Sequence, residues 1–147
     1  MNVFTDGACS HNGRPNAKAG IGIYVGPQDP RNVSQRISGK QTNNTAELKA
    51  IIGVFHILTD ERETTDIQIY TDSEYAIKCA GSYGAKCQKK GWTKRIPNHP
   101  LVQEIYELFQ TYPRVQLTHV RAHTGLSDEL SLGNAEADRL ATTSLRS

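Results

Sequence analysis

At 147 residues the chain has the length of one domain, and its 37% hydrophobic and 22% charged content excludes intrinsic disorder and suffices to bury roughly two thirds of the unfolded surface. Its apolar residues lie in short segments, far from the roughly 20 in a row that a membrane span needs. The formal charge of +2 is unevenly held: KCQKKGWTKR carries Lys86, Lys89, Lys90, Lys94 and Arg95 with no acid, and taking these five away leaves −3 on the rest.

Residues 2–6 alternate as a strand, and GIGIYVG (20–26) and NVSQRISG (32–39) follow with glycine, proline and asparagine between them, which predicts an antiparallel meander. From Thr45 to Thr59 the period changes to that of an amphipathic helix, with Glu47, Ile51, Val54, Phe55 and Leu58 at helical spacing. DIQIYTD (66–72) is the next strand, and the strand–helix–strand order favours a parallel crossover. Two short helices, SEYAIKCA and GAKCQKK, precede the basic stretch. A helix over 100–110 is ended by Pro113, VQLTHVRA (115–122) is the last strand, and a final helix places Ala135, Asp138, Ala141 and Leu145 on one face. The sum is a single α/β domain over 1–147, with a mixed five-stranded sheet flanked by helices.

The N-terminus enters its first strand without a basic leader or apolar signal core, so a cytoplasmic or nuclear location is expected. Cys9, Cys79 and Cys87 are three in number and match no zinc spacing, so reduced structural thiols are expected.

Two strand ends echo each other: VFTDG (3–7) and IYTDS (69–73) each run aromatic, threonine, aspartate, small residue. Ligands of open α/β sheets gather beyond the carboxyl ends of parallel strands, and side-chain parity lets Asp6 and Asp72 face one crevice if their strands adjoin. Glu47 and Asp138 are acids set into apolar helix faces. Each has a local explanation: Asp6 as a turn former, Asp72 as a helix cap, Glu47 at a helix N-terminus, Asp138 paired with Arg139 or Arg121. Together they point to a shared cation. Like charges about 4 Å apart repel by roughly 4 kcal/mol at an effective dielectric of 20, and an all-oxygen set suits Mg²⁺ or Mn²⁺.

FTDGACSHNG, TNNTAEL, YTDSEYAI, the KKGW loop, and VRAHTG followed by GNAEADRLA, in this order, resemble the catalytic domain of type 1 ribonuclease H over essentially the whole chain. The resemblance implies a ribonuclease H-like fold and a two-metal endonuclease that hydrolyses the RNA strand of RNA/DNA hybrids. Asp6, Glu47, Asp72 and Asp138 would hold two Mg²⁺ ions, with Mn²⁺ a substitute, and His123 would lie on a loop beside them, orienting water or aiding product release. Attack by water implies 5′-phosphate and 3′-hydroxyl ends, and Glu47 would also touch the 2′-OH at the cleavage point.

By the same resemblance Asn12, Asn43 and Asn44 would contact the minor groove of the hybrid, and Lys40, Thr42 and Asn98 would hold a phosphate of the DNA strand. Lys86, Lys89, Lys90, Lys94 and Arg95 would form a basic protrusion around Trp92, whose ring is read first as a packing anchor for the loop. Tyr83 and Cys87 depart from tryptophans of eukaryotic relatives, Ala122 replaces a common glycine, and TGLSDELSLGN is longer than in compact relatives. No hybrid-binding module is expected ahead of residue 1, and a monomer without membrane contacts is expected. Two other readings of the residues are a non-catalytic nucleic-acid-binding module and a metal-independent ribonuclease built on His11, His119 and His123.

Overall fold

The computed structural model describes residues 1–121 and 128–146. The elements are β1 (Asn2–Ser10), β2 (Lys18–Tyr24), β3 (Val33–Arg36), α1 (Asn43–Ile57), α2 (Glu61–Thr64), β4 (Ile67–Thr71), α3 (Glu74–Ala80), α4 (Ser82–Lys89), α5 (His99–Thr111), β5 (Val115–His119) and α6 (Glu129–Ser144). One five-stranded sheet runs in the order β3-β2-β1-β4-β5. β1, β2 and β3 pair antiparallel as the expected meander, and β1–β4 and β4–β5 are parallel.

Strand alternation sorts the sheet's side chains onto two faces. On one, Val3, Ile23, Ile67, Ile69 and Val115 pack with Leu48, Ile51 and Phe55 of α1 and Val102 and Ile105 of α5 to make the main core. Thr42 caps α1, its Oγ1 accepting from the Thr45 N–H at 3.1 Å. This helix is more enclosed than an amphipathic stripe predicts: Thr45, Ala46, Glu47 and Leu48 are buried in succession, because β1 and β2 cover one side and α3 and α5 the other.

The opposite face receives α6, which packs on β1, β2 and β3. Its seat is made by glycines. A Cβ at Gly22 would lie 2.1 Å from the Ala137 carbonyl oxygen, one at Gly20 would lie 1.8 Å from Ser144 Oγ, and one at Gly133 would lie 2.3 Å from the Phe4 ring. At Gly22 helix backbone therefore rests directly on sheet backbone, while at Gly20 and Gly133 the missing Cβ makes room for Ser144 Oγ and the Phe4 ring.

Several boundaries differ from the sequence reading. β1 continues to Ser10 rather than ending at Asp6, since β2 pairs with it as far as Ser10↔Lys18. β5 stops at His119 rather than 122. The short α2 is additional to the predicted elements; Arg31 links its Glu61 at 3.2 Å to the β2–β3 connection. α6 starts at Glu129, so part of the long segment after residue 123 is helical. Its buried stripe is Gly133, Asn134, Ala137, Ala141 and Ser144, rotated from the expected one. The glycine seat selects small residues, leaving Ala135 exposed and Asp138 half-buried at the margin. All three cysteines are free, and no helix among the described residues is long and apolar enough to cross a membrane.

Candidate active site

The echo between VFTDG and IYTDS is a spatial register. β1 and β4 pair as Asn2↔Gln68, Val3↔Ile69 and Phe4↔Tyr70, and the same offset carries Thr5 to Thr71 and Asp6 to Asp72. Phe4 and Tyr70 stack at 5.1 Å between ring centroids, while Thr5 and Thr71 are buried on the core face. β4 ends at Thr71 whereas β1 runs on beside β2, so Asp6 lies on the flank of a continuing strand and Asp72 just past the end of its neighbour.

In the gap beyond β4, the Gly7 N–H has no strand partner in the β1–β4 ladder and donates instead to Asp6 Oδ1 at 3.0 Å and to Glu47 Oε1. Gly7 is small for a definite reason: a Cβ there would lie 2.5 Å from the Glu47 nitrogen and 2.7 Å from the Ala46 carbonyl carbon. The residue after Asp6 thus admits the backbone of α1. The residue after Asp72 acts differently, since Ser73 Oγ caps α3 by accepting from the Ala76 N–H at 3.1 Å. The cap of α3 is therefore Ser73, not Asp72.

One carboxylate oxygen each from Asp6, Glu47 and Asp72 lie within 4.8 Å of one another. Asp138 lies on α6 outside this trio but near enough to help raise the Asp6 carboxyl, and Arg139, considered as its partner, pairs with Glu136 at 2.8 Å. Burial, reinforced by the charge and hydrogen bonding of Glu47 and by Asp72 and Asp138, pushes the Asp6 carboxyl up to about 10. Glu47 is pushed up to about 7, chiefly by burial and by the Asp72 charge, against the hydrogen bonds of Asp6, the Gly7 N–H and Ser73. Each cause that raises these two is burial or another acid, so the cluster accepts a proton where a cation would serve better. Hard oxygen donors at this spacing fit a divalent metal ion of the magnesium type.

A groove of about 490 Å³ is lined by Asn12, Lys40, Thr42, Asn43, Asn44 and Asn98, with Tyr75 and Tyr83 in its wall. All six substrate residues expected in this region therefore share one surface. Asn12 Oδ1 accepts from the Asn43 N–H at 3.1 Å, and Asn98 adopts a left-handed backbone (φ 57) at the start of α5. Tyr75 and Thr45, not singled out from the sequence, lie within the quoted YTDSEYAI and TNNTAEL segments; in sequence Thr45 is an ordinary first-turn residue.

Lys86, Lys89, Lys90, Lys94 and Arg95 are exposed around the end of α4, and none forms an ion pair among the described residues. Trp92 stacks on His99 at 5.6 Å and meets Tyr106 at 6.3 Å, the packing contact expected of a loop anchor. A shallow apolar hollow under the loop includes Tyr83, Cys87, Trp92 and Ile96. His123 and Ala122 lie outside the described residues.

A mixed α/β sheet whose carboxylates converge where its central parallel strands part defines a domain with a cluster of hard oxygen donors in the crevice of its sheet. The chain belongs to the RNase H family, whose pattern matches residues 1–146. It is 38% identical over 143 residues to ribonuclease H1 of Mus musculus, covering 95% of this chain and 48% of that protein. It is 32% identical over 149 residues to ribonuclease H of Orientia tsutsugamushi, covering 97% of this chain and 80% of the other. The chain spans about half the length of the mammalian relatives it matches. The fold is shared with LC11-RNase H1, solved in complex with an RNA/DNA hybrid, at a TM-score of 0.62 and 18% identity over 99% of this chain and 96% of that one.

Proposed function

We propose that this domain hydrolyses the RNA strand of RNA/DNA hybrids endonucleolytically, using Mg²⁺, or Mn²⁺ in its place, held by Asp6, Glu47, Asp72 and Asp138. The observation that carries the reading is the trio Asp6, Glu47 and Asp72, with one carboxylate oxygen each within 4.8 Å of the others, in which Asp6 and Glu47 are too crowded and too dry to ionise together. Membership of the RNase H family and the hybrid bound by LC11-RNase H1 support the choice of substrate.

When bound, a pair of divalent ions supplies activation of the attacking water and stabilisation of the leaving 3′ oxygen. The chain's own contribution is placement. The Gly7 N–H fixes the Glu47 carboxylate, Ser73 beside it helps to lower the Glu47 pKa, and the strand register sets Asp6 beside Asp72. Glu47 is also assigned to the 2′-OH beside the cleavage point, which favours RNA there. Asn12, Asn43 and Asn44 face the minor groove of the hybrid, while Lys40, Thr42 and Asn98 take a phosphate of the DNA strand in the groove they line. The exposed lysines of the α4 loop attract the backbone. His123 is assigned to orienting water or releasing product.

Cleavage of labelled RNA/DNA hybrid, duplex RNA and duplex DNA, with and without EDTA, tests this. Hybrid alone should be cut, only with divalent metal, giving 5′-phosphate and 3′-hydroxyl ends. Cutting that survives EDTA and leaves cyclic phosphates would replace the reading with a histidine mechanism.

A further inference from the structure

Behind the groove a chain of hydrogen bonds joins three helices. The Thr45 hydroxyl, 2% exposed and absent from the groove lining, donates to Asn98 Oδ1 at 3.1 Å and lies 2.6 Å from Thr42 Oγ1. Asn98 Nδ2 donates to the Tyr75 hydroxyl at 3.2 Å, and Thr42 Oγ1 also accepts from the Thr45 N–H. Thr42, Asn98 and Tyr75 line the groove; Thr45 connects them from inside.

The hydrogens available to these groups decide what the bonds control. A threonine hydroxyl has one hydrogen. With that of Thr45 given to Asn98, the 2.6 Å contact requires Thr42 to donate inward to Thr45, so Thr42 shows the groove only a lone pair and repels an anion. The opposite arrangement is equally complete. If the Asn98 amide turns over, Tyr75 donates to Oδ1, Nδ2 donates to Thr45, Thr45 donates to Thr42, and the Thr42 hydrogen points into the groove. Every side-chain bond is kept with its direction reversed, while the Thr45 N–H still donates to Thr42 Oγ1.

We propose that Thr45 is a positioning residue for phosphate capture: its hydroxyl is the link through which Thr42, Asn98 and Tyr75 reverse polarity together, so that Thr42 becomes a donor when a backbone phosphate enters beside Lys40. This rests on the reading of the groove as a phosphate site. Without the Thr45 hydroxyl, Thr42 and Asn98 are uncoupled and the donor is no longer held in place.

The test compares Thr45→Val, Thr45→Ser, Tyr75→Phe and Lys40→Ala by equilibrium binding of a fluorescent RNA/DNA hybrid in EDTA and by kcat and KM in Mg²⁺. Thr45→Val should raise Kd and KM about tenfold, the size of one missing hydrogen bond to a charged group, with kcat within about twofold of wild type. Thr45→Ser should recover most of the affinity. Tyr75→Phe should weaken binding less, and its effect should shrink in the Thr45→Val background, because one chain of bonds carries both. Unchanged affinity in Thr45→Val, or a loss that serine does not rescue, overturns the proposal. If Lys40→Ala also binds normally, the phosphate reading of the groove falls with it; if Lys40→Ala binds weakly while Thr45→Val binds normally, only the role of Thr45 falls. Should Thr45→Val not fold, Tyr75→Phe decides, normal affinity there being the overturning result.

Discussion

Gly7 and Glu47 are bound to each other twice: the Gly7 N–H donates to Glu47 Oε1, and the absence of a side chain at residue 7 lets the Glu47 backbone stand where a Cβ would be 2.5 Å away. The same residue therefore brings α1 against β1 and orients the acid that α1 carries. Gly7→Ala should move the helix outward, cost about 1–3 kcal/mol of stability in urea unfolding, and lower hybrid cleavage by more than that loss of folded protein explains. Wild-type stability in this variant would show that the contact between β1 and α1 is slack.

Replacing Asp6 by asparagine should reduce cleavage to background while hybrid binding persists, measured by filter binding beside a cleavage assay. Because the carboxyl replaced is buried among acids, thermal melting in EDTA at pH 8 should rise rather than fall. A variant that cuts normally in Mg²⁺ would remove Asp6 from the site.

The pH dependence of the metal-free protein has a definite sign. Asp6 and Glu47 are raised to about 10 and about 7 in the folded state, against roughly 4 in an unfolded chain. Between these values the native state holds protons that the unfolded state has released, so stability is full below about pH 4 as far as these groups are concerned and declines as pH rises through 7 toward 10. Melting temperatures in EDTA should therefore drop from pH 5.5 to 8.5, and Mg²⁺ should flatten the decline. Asp6→Asn should flatten it without metal. An EDTA melting curve that rises over this range would contradict the crowding of the acids.

Gly22 links the seat of α6 to Asp138. A methyl group there would press on the Ala137 carbonyl at 2.1 Å and the Ala141 nitrogen at 2.5 Å, on either side of the acid. Gly22→Ala should destabilise the fold and reduce turnover together, whereas Gly26→Ala, in open space, should do neither. Circular dichroism melting and steady-state kinetics on the pair separate the two.

The α4 loop should act through charge. Changing Lys89 and Lys94 to glutamine should weaken hybrid binding and reduce the slope of log affinity against log salt by about one for each phosphate left unneutralised, with kcat at saturating hybrid preserved. An unchanged salt slope would mean that these exposed lysines are merely solvated.

Much of this arrangement is legible in sequence because period and parity are local. The strand alternation, the helical spacing from Thr45 and the echoed aspartates are enough to bring Asp6, Glu47 and Asp72 to one end of the sheet. What escapes depends on partners distant in sequence. Asp6 reads as a strand terminus because Gly7 follows it, yet β2 keeps the chain extended to Ser10. Gly133 reads as loop, yet the Phe4 ring needs that gap and α6 begins four residues earlier. Thr45 reads only as the start of a helical period, and only Asn98, brought alongside by α5, gives its hydroxyl a destination.

The glycine bed under α6 limits how the site can be altered. Where two elements meet through layered side chains, a small substitution can be absorbed by repacking its neighbours. Gly22 leaves no such padding beneath the helix backbone at Ala137 and Ala141, so Asp138 between them inherits its coordinates from the strand itself. Attempts to retune the spacing of the carboxylates by mutating the interface should yield mainly wild-type-like or collapsed variants with few intermediates, and gradual adjustment is better sought at Ser73 or in the groove.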